Sequence, residues 1–127
     1  MKGPVDTPIG KTWIGDDGIA YAEFLPNVSI DREKALVFFE ECKKLSEGKA
    51  NPVLLDVKNA FLADREARLL FSSDLCVSIT RAAAVLINSP VAQVVASFFM
   101  GLNKPPFPVR LFSRREEALE WLKGFVQ

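Results

Sequence analysis

The chain has 127 residues, 49% hydrophobic and 25% charged, which is the balance of one ordinary globular domain and excludes disordered, collagenous and multi-domain readings. Sixteen Lys and Arg offset sixteen Asp and Glu, so no global field draws the protein toward nucleic acid or an anionic membrane. It contains no histidine, which removes the commonest general base near neutral pH and the commonest zinc ligand.

One domain is expected over residues 1–127, with its ordered core over about 12–126. The opening Met-Lys-Gly-Pro-Val-Asp places no apolar segment behind Lys2, so no secretory signal is expected and the expected location is the cytoplasm. Trp13-Ile14 and Ile19 to Phe24 flank Gly15-Asp16-Asp17-Gly18, a turn sequence that tolerates positive φ, and together they predict an opening hairpin. From Asp31 the period becomes helical: Ala35, Phe38, Phe39, Cys42 and Leu45 share one face, Asp31 can cap the start and Gly48 can close the end. Glu40 and Lys44 have the favourable acid-before-base spacing on its outer face.

Asn51-Pro52 predicts a break, and Val53 to Val57 a short strand covered on both faces, with Asp56 at its carboxyl end. A second helix starting at Asp64 is expected to bury Ala67, Leu70, Phe71 and Leu75 and to end between Asp74 and Thr80. Ala82 to Ile87 predicts the next buried strand. The uncharged stretch Ala82 to Asn103 is interrupted by Asn88-Ser89-Pro90, so it reads as a strand followed by a helix with a stripe of Val91, Val94, Val95, Phe98, Phe99 and Leu102, and no membrane span is expected. The prolines of Lys104 to Pro108 stop that helix, and Val109 to Phe112 predicts the last strand. Ser113 and Glu116 have capping-box spacing, and Ala118, Leu119, Trp121, Leu122, Phe125 and Val126 predict a closing helix in which Trp121 is substantially buried. Strands alternating with helices imply an α/β fold: a mixed sheet of about five strands, an opening hairpin and about four helices.

The chemistry is sparse. Cys42 and Cys76 match neither a redox pair nor a metal quartet and read as buried, reduced thiols; no metal or cofactor is expected. No glycine-rich turn is placed to cradle a phosphate, and Ser72, Ser73 and Ser89 have no histidine to activate them. Asp56 and Asp64 are the carboxylates expected at the carboxyl edge of the sheet, where open α/β folds place ligands, and Asn88 and Ser89 are expected at the same edge. Helix capping by Asp64 and Ser89, with Asp56 bracing a loop, accounts for these residue types without a site.

Leu55-Asp56-Val57-Lys58-Asn59-Ala60-Phe61-Leu62-Ala63-Asp64 resembles the STAS domain of the anti-sigma-factor antagonists and sulfate-transporter tails, where a strand and loop of this length lead to Asp-Ser-Ser-Gly. The order of elements from Trp13 to Trp121 and the ending Ala118-Leu119-Glu120-Trp121-Leu122 resemble the small stand-alone SpoIIAA-like proteins. The resemblance implies a regulatory module acting through a protein partner. Here the motif reads Asp64-Arg65-Glu66-Ala67, so the aspartate carries over while the kinase-target serine falls on Glu66, and the implied phosphorylation switch is lost.

The expected function is therefore a non-enzymatic, STAS-like interaction module with no nucleic-acid partner. A second reading is a binder of a small apolar or lipid-like molecule, resembling CRAL-TRIO carriers, in a pocket beneath the Pro90 to Leu102 helix closed by Lys104 to Pro108. An enzyme using Asp56 or Asp64 is a remote third. On the second side of the helix after Pro90, Ala92, Gln93, Ala96 and Met100 carry no charge, which predicts a two-fold homodimer through that face.

Overall fold

The computed structural model describes residues 1–57, 62–71, 73–87 and 107–126. In chain order they form β1 (Lys2–Thr7), β2 (Gly10–Ile14), β3 (Ala20–Phe24), β4 (Ser29–Ile30), α1 (Arg32–Ser46), β5 (Asn51–Asp56), β6 (Leu62–Ala63), α2 (Arg65–Leu70), α3 (Asp74–Ile79), β7 (Thr80–Leu86), β8 (Val109–Phe112) and α4 (Arg115–Lys123). The fold is the expected α/β mixed sheet. It has six strands in the order β1-β2-β3-β5-β7-β8, with β4 and β6 forming a separate two-stranded ladder. The first three strands are antiparallel, and β3, β5, β7 and β8 run parallel.

The opening hairpin closes where the turn residues predict: Gly18 has φ 81°, the Gly15 amide donates to the Ile19 carbonyl at 2.9 Å, and Asp17 Oδ1 accepts from the Ile19 amide at 3.0 Å. β1 adds a strand ahead of the expected core. Its turn into β2 is tied by Thr7 Oγ1, which accepts from the Gly10 amide at 3.2 Å and donates to the Gly10 carbonyl at 2.7 Å, while Ile9 is fully buried. At Asn51-Pro52 the strand does not break. It begins there, with a register shift against β7 absorbing the proline.

α1 starts as expected, with Asp31 Oδ1 accepting from the Lys34 amide at 2.8 Å. Its left-handed cap is Glu47 at φ 54°, followed by Gly48 at φ 77°, whose amide donates to the Lys43 carbonyl at 3.1 Å. On its outer face Lys44 pairs with Glu41 at 3.2 Å. The second helix divides into α2 and α3 at Ser73, whose hydroxyl donates back to the Leu70 carbonyl at 2.6 Å and accepts from the Cys76 amide at 3.5 Å. A serine that serves the backbone on both sides competes with the helical ladder, and the apolar period runs through the break unaltered. The Ser113 capping box does not form. α4 begins one residue later, at Arg114 as cap with no side-chain hydrogen bond, so Glu116 and Glu117 both lie in the first turn and act on the helix dipole.

α1, α2 and α3 cover one face of the sheet, where Ala35, Phe38, Phe39, Ala67, Cys76 and Ile79 join Ile9 and Ala22. α4 covers the opposite face, packing Ala118 and Leu122 on Ile19, Leu54, Ala82, Ala84 and Leu86. Alternation along β5 and β7 explains the two-sided burial: Leu54, Ala82, Ala84 and Leu86 face α4, while Val57, Val85 and Ile87 build a third cluster. Trp121 is partly buried, not enclosed, and lies between the Phe112 and Phe125 rings at 5.7 and 4.9 Å.

Candidate functional site

The carboxyl end of β5 carries Asp56, only 6% exposed. Two residues beyond Leu54 on the same side of the strand, it faces α4, where its Oδ2 lies 3.8 Å from Arg115 Nη1. The Arg115 guanidinium sits over the Tyr21 ring at 5.6 Å, and the Tyr21 hydroxyl donates to Asp17 Oδ2 at 2.6 Å. Trp13 stacks on Tyr21 across the β2–β3 pair at 5.2 Å and 4°. Burial, followed by the Asp17 carboxylate, pushes the Tyr21 phenol up to about 12, so it stays protonated and donating at neutral pH. These contacts join the opening hairpin to the last helix.

Asp64 serves the other side of the sheet. Its amide donates to the Ile30 carbonyl at 3.1 Å, and its Oδ1 accepts from the Ala67 amide at 2.8 Å, making it the cap of α2. Asp64, Arg65 and Glu66 are all exposed, with the Glu66 charge in the first helical turn. Asp56 lies against α4 and Asp64 caps α2, two helices that cover opposite faces of the sheet. Asn88 and Ser89, and the face of Ala92, Gln93, Ala96 and Met100, lie outside the described residues.

A cavity of about 150 Å³ lies between the helices α1 to α3 and the sheet, lined by residues that include Phe38, Phe39, Phe71, Val53, Ala83 and Val85. The pocket expected under the Pro90 to Leu102 helix involves residues outside those described. Cys42 and Cys76, far apart in sequence, both line the cavity and are free thiols. Cys42 Sγ is 3.5 Å from Thr12 Oγ1, and Cys76 Sγ is 3.8 Å from Thr80 Oγ1. Burial pushes both thiols up to about 11, so they line the wall as neutral, unreactive groups. Sequence reasoning found each thiol as core but not their shared space, because nothing in the apolar period says which core positions leave a gap.

Among the described residues no group of three or more His, Cys, Asp and Glu is placed to hold a metal ion, and no helix is long and apolar enough to cross a membrane.

This arrangement of sheet and helices is a SpoIIAA-like fold. An uncharacterized protein from Shewanella loihica PV-4, of the DUF3478 family and itself SpoIIAA-like, matches over 96% of this chain and 98% of its own with a TM-score of 0.64 at 11% identity. Within that fold, residues 12–126 match the model of the domain of unknown function DUF7793, and the chain belongs to that family. A protein of unknown function from Arthrobacter sp. FB24 is 31% identical, covering 93% of this chain and 95% of its own, with a TM-score of 0.36. No curated protein matches the sequence.

Proposed function

We propose that this chain is a non-enzymatic SpoIIAA-like regulatory module that works through contact with a protein partner and lacks a phosphorylation switch. The observation that carries this reading is the exposed first turn of α2, where Asp64 caps the helix and Glu66 presents a permanent carboxylate. A carboxylate there keeps one negative charge on a helix start that favours it, whereas a phosphoserine would add about 1.5 to 2 charges only when modified. The partner would thus meet one fixed electrostatic state. Incubation of the chain with an anti-sigma-type serine kinase, followed by intact mass and peptide mapping, tests this. The expected result is no added phosphate, while a phosphate on Ser72 or Ser73 would show that the switch has moved along the helix start.

The same reading makes the protein a cytoplasmic homodimer joined through Ala92, Gln93, Ala96 and Met100. Sedimentation of the wild type and of Ala96→Glu tests the assembly: a monomeric wild type refutes it, and a dimer indifferent to the new charge moves the interface elsewhere.

A further inference from the structure

The cavity beneath α1 to α3 combines three properties that point to a ligand class. Its wall is aromatic in a particular way: Phe38 meets Phe39 edge to face at 5.7 Å, and Phe39 meets Phe71 edge to face at 5.2 Å. Such a chain of perpendicular rings offers both faces and edges to one more ring. On the sheet side the wall includes Ala22 and Ala83, whose single methyl groups leave the space between strands and helices unfilled.

Two of the polar side chains on the wall are tied to backbone carbonyls. Thr12 Oγ1 donates to the Tyr21 carbonyl at 2.9 Å and Ser46 Oγ to the Lys43 carbonyl at 3.1 Å, and among the described residues no buried side-chain nitrogen or oxygen lacks a partner. Thr12, Ser46, Asn51 and Thr80 are scattered on a described wall that is otherwise mainly aliphatic and aromatic, so a water entering here would meet few partners. Apolar cavities of about this volume, once dry, take up benzene-sized molecules.

We propose that this cavity is a binding site for a small, neutral, single-ring aromatic molecule, gripped by Phe38, Phe39 and Phe71, with Ala83 setting the depth available on the sheet side. The described wall supplies no charged side chain to pair with a carboxylate, so selection rests on shape and apolarity. This goes beyond a module that acts only through its surface: occupancy of the core by a metabolite would stabilise the folded domain by mass action.

Toluene, phenol and benzoate added to the full chain test the assignment, read by thermal unfolding and by methyl NMR. Toluene is expected to raise the midpoint by a few degrees and to shift the methyl resonances of Val53, Leu55, Ile79 and Val85, leaving Leu54 and Leu122 on the opposite face in place. Phenol should act more weakly and benzoate not at all. Ala83→Phe fills the cavity, and Ala83→Leu fills part of it with less risk to folding; toluene should have no effect on the first and a reduced effect on the second. The site is overturned if toluene near its solubility limit moves neither signal, if benzoate matches toluene, or if a folded Ala83→Leu protein responds like the wild type.

Discussion

Arg115, the first residue of α4, reaches across 3.8 Å to Asp56, the last residue of β5, and its guanidinium lies over the Tyr21 ring on the way. The carboxylate side chain is 8% exposed and the guanidinium side chain 39%, so the pair is dry at one end and wet at the other. Breaking a fully buried pair costs about 3–5 kcal/mol, and the exposure of the arginine brings the expected cost of Arg115→Ala down to about 1–2 kcal/mol. Arg115→Lys should lose less, keeping the charge but not the flat contact with Tyr21. Urea unfolding of both variants measures this; an unaltered midpoint for Arg115→Ala would show that the pair contributes nothing.

Gly10 is a second point of strict demand. A Cβ there would lie 2.0 Å from the Glu23 carbonyl oxygen and 2.8 Å from Phe24 Cα, both backbone atoms of the paired strand. Gly10→Ala is expected to cost about 2–3 kcal/mol as an overpacked contact that backbone must move to relieve. Gly48, with φ 77° and nothing within 4 Å of a Cβ, is the control: Gly48→Ala should cost only the left-handed strain of about 1–2 kcal/mol. Equal midpoints for the two variants would refute the role given to Gly10.

Alkaline pH should destabilise the fold through its thiols. In the folded state Cys42 and Cys76 hold their protons to about 11, whereas exposed thiols titrate near 9.0, so between these values the unfolded chain binds fewer protons and stability falls as pH rises. The loss amounts to about 2–3 kcal/mol per thiol over that interval. Tyr21, raised from 10.0 to about 12, acts with the same sign about one unit higher. The Cys42→Ala, Cys76→Ala double variant should flatten the stability profile between pH 9 and 11, and Tyr21→Phe should flatten it above pH 10. A double variant that tracks the wild type across the lower interval would contradict this.

The cap of α2 separates structure from function at Asp64. Asp64→Ala removes the acceptor of the Ala67 amide and is expected to cost about 1 kcal/mol, with Asp64→Asn retaining most of the stability. Equilibrium denaturation distinguishes the two, and a full loss with asparagine would mean that charge, not capping, sustains the helix.

Much of this fold was legible because burial leaves a period. The Asp17-Gly18 turn, the Ala35-Phe38-Phe39 stripe and the apolar runs at Leu54-Leu55 and Ala82 to Ile87 are each recorded in side chains that must be inside. β1 was not legible: it is mostly exposed and is held by backbone pairing with β2, which leaves no mark in hydropathy. The break at Ser73 was hidden because serine's hydrogen bonds to Leu70 and Cys76 do not disturb the spacing of Leu70, Phe71 and Leu75. At the candidate site, Asp64 as a cap followed from its residue type. Asp56 needed its strand face to be known before Arg115 could be named, and the cavity depends on volumes that small residues such as Ala83 leave behind, a property of the packed whole.

The division of labour between the two faces of the sheet has a consequence for how the molecule is made. Among the described residues, α4 is the one helix packed on Leu54, Ala82, Ala84 and Leu86. Among the described residues only α4 covers that side of β5 and β7, and it is made after every strand of the sheet, while α1, α2 and α3 precede β7. Of the described helices α4 is thus the last made and acts as a latch: Ala118 and Leu122 can close on the second face only after all six strands of the sheet have emerged.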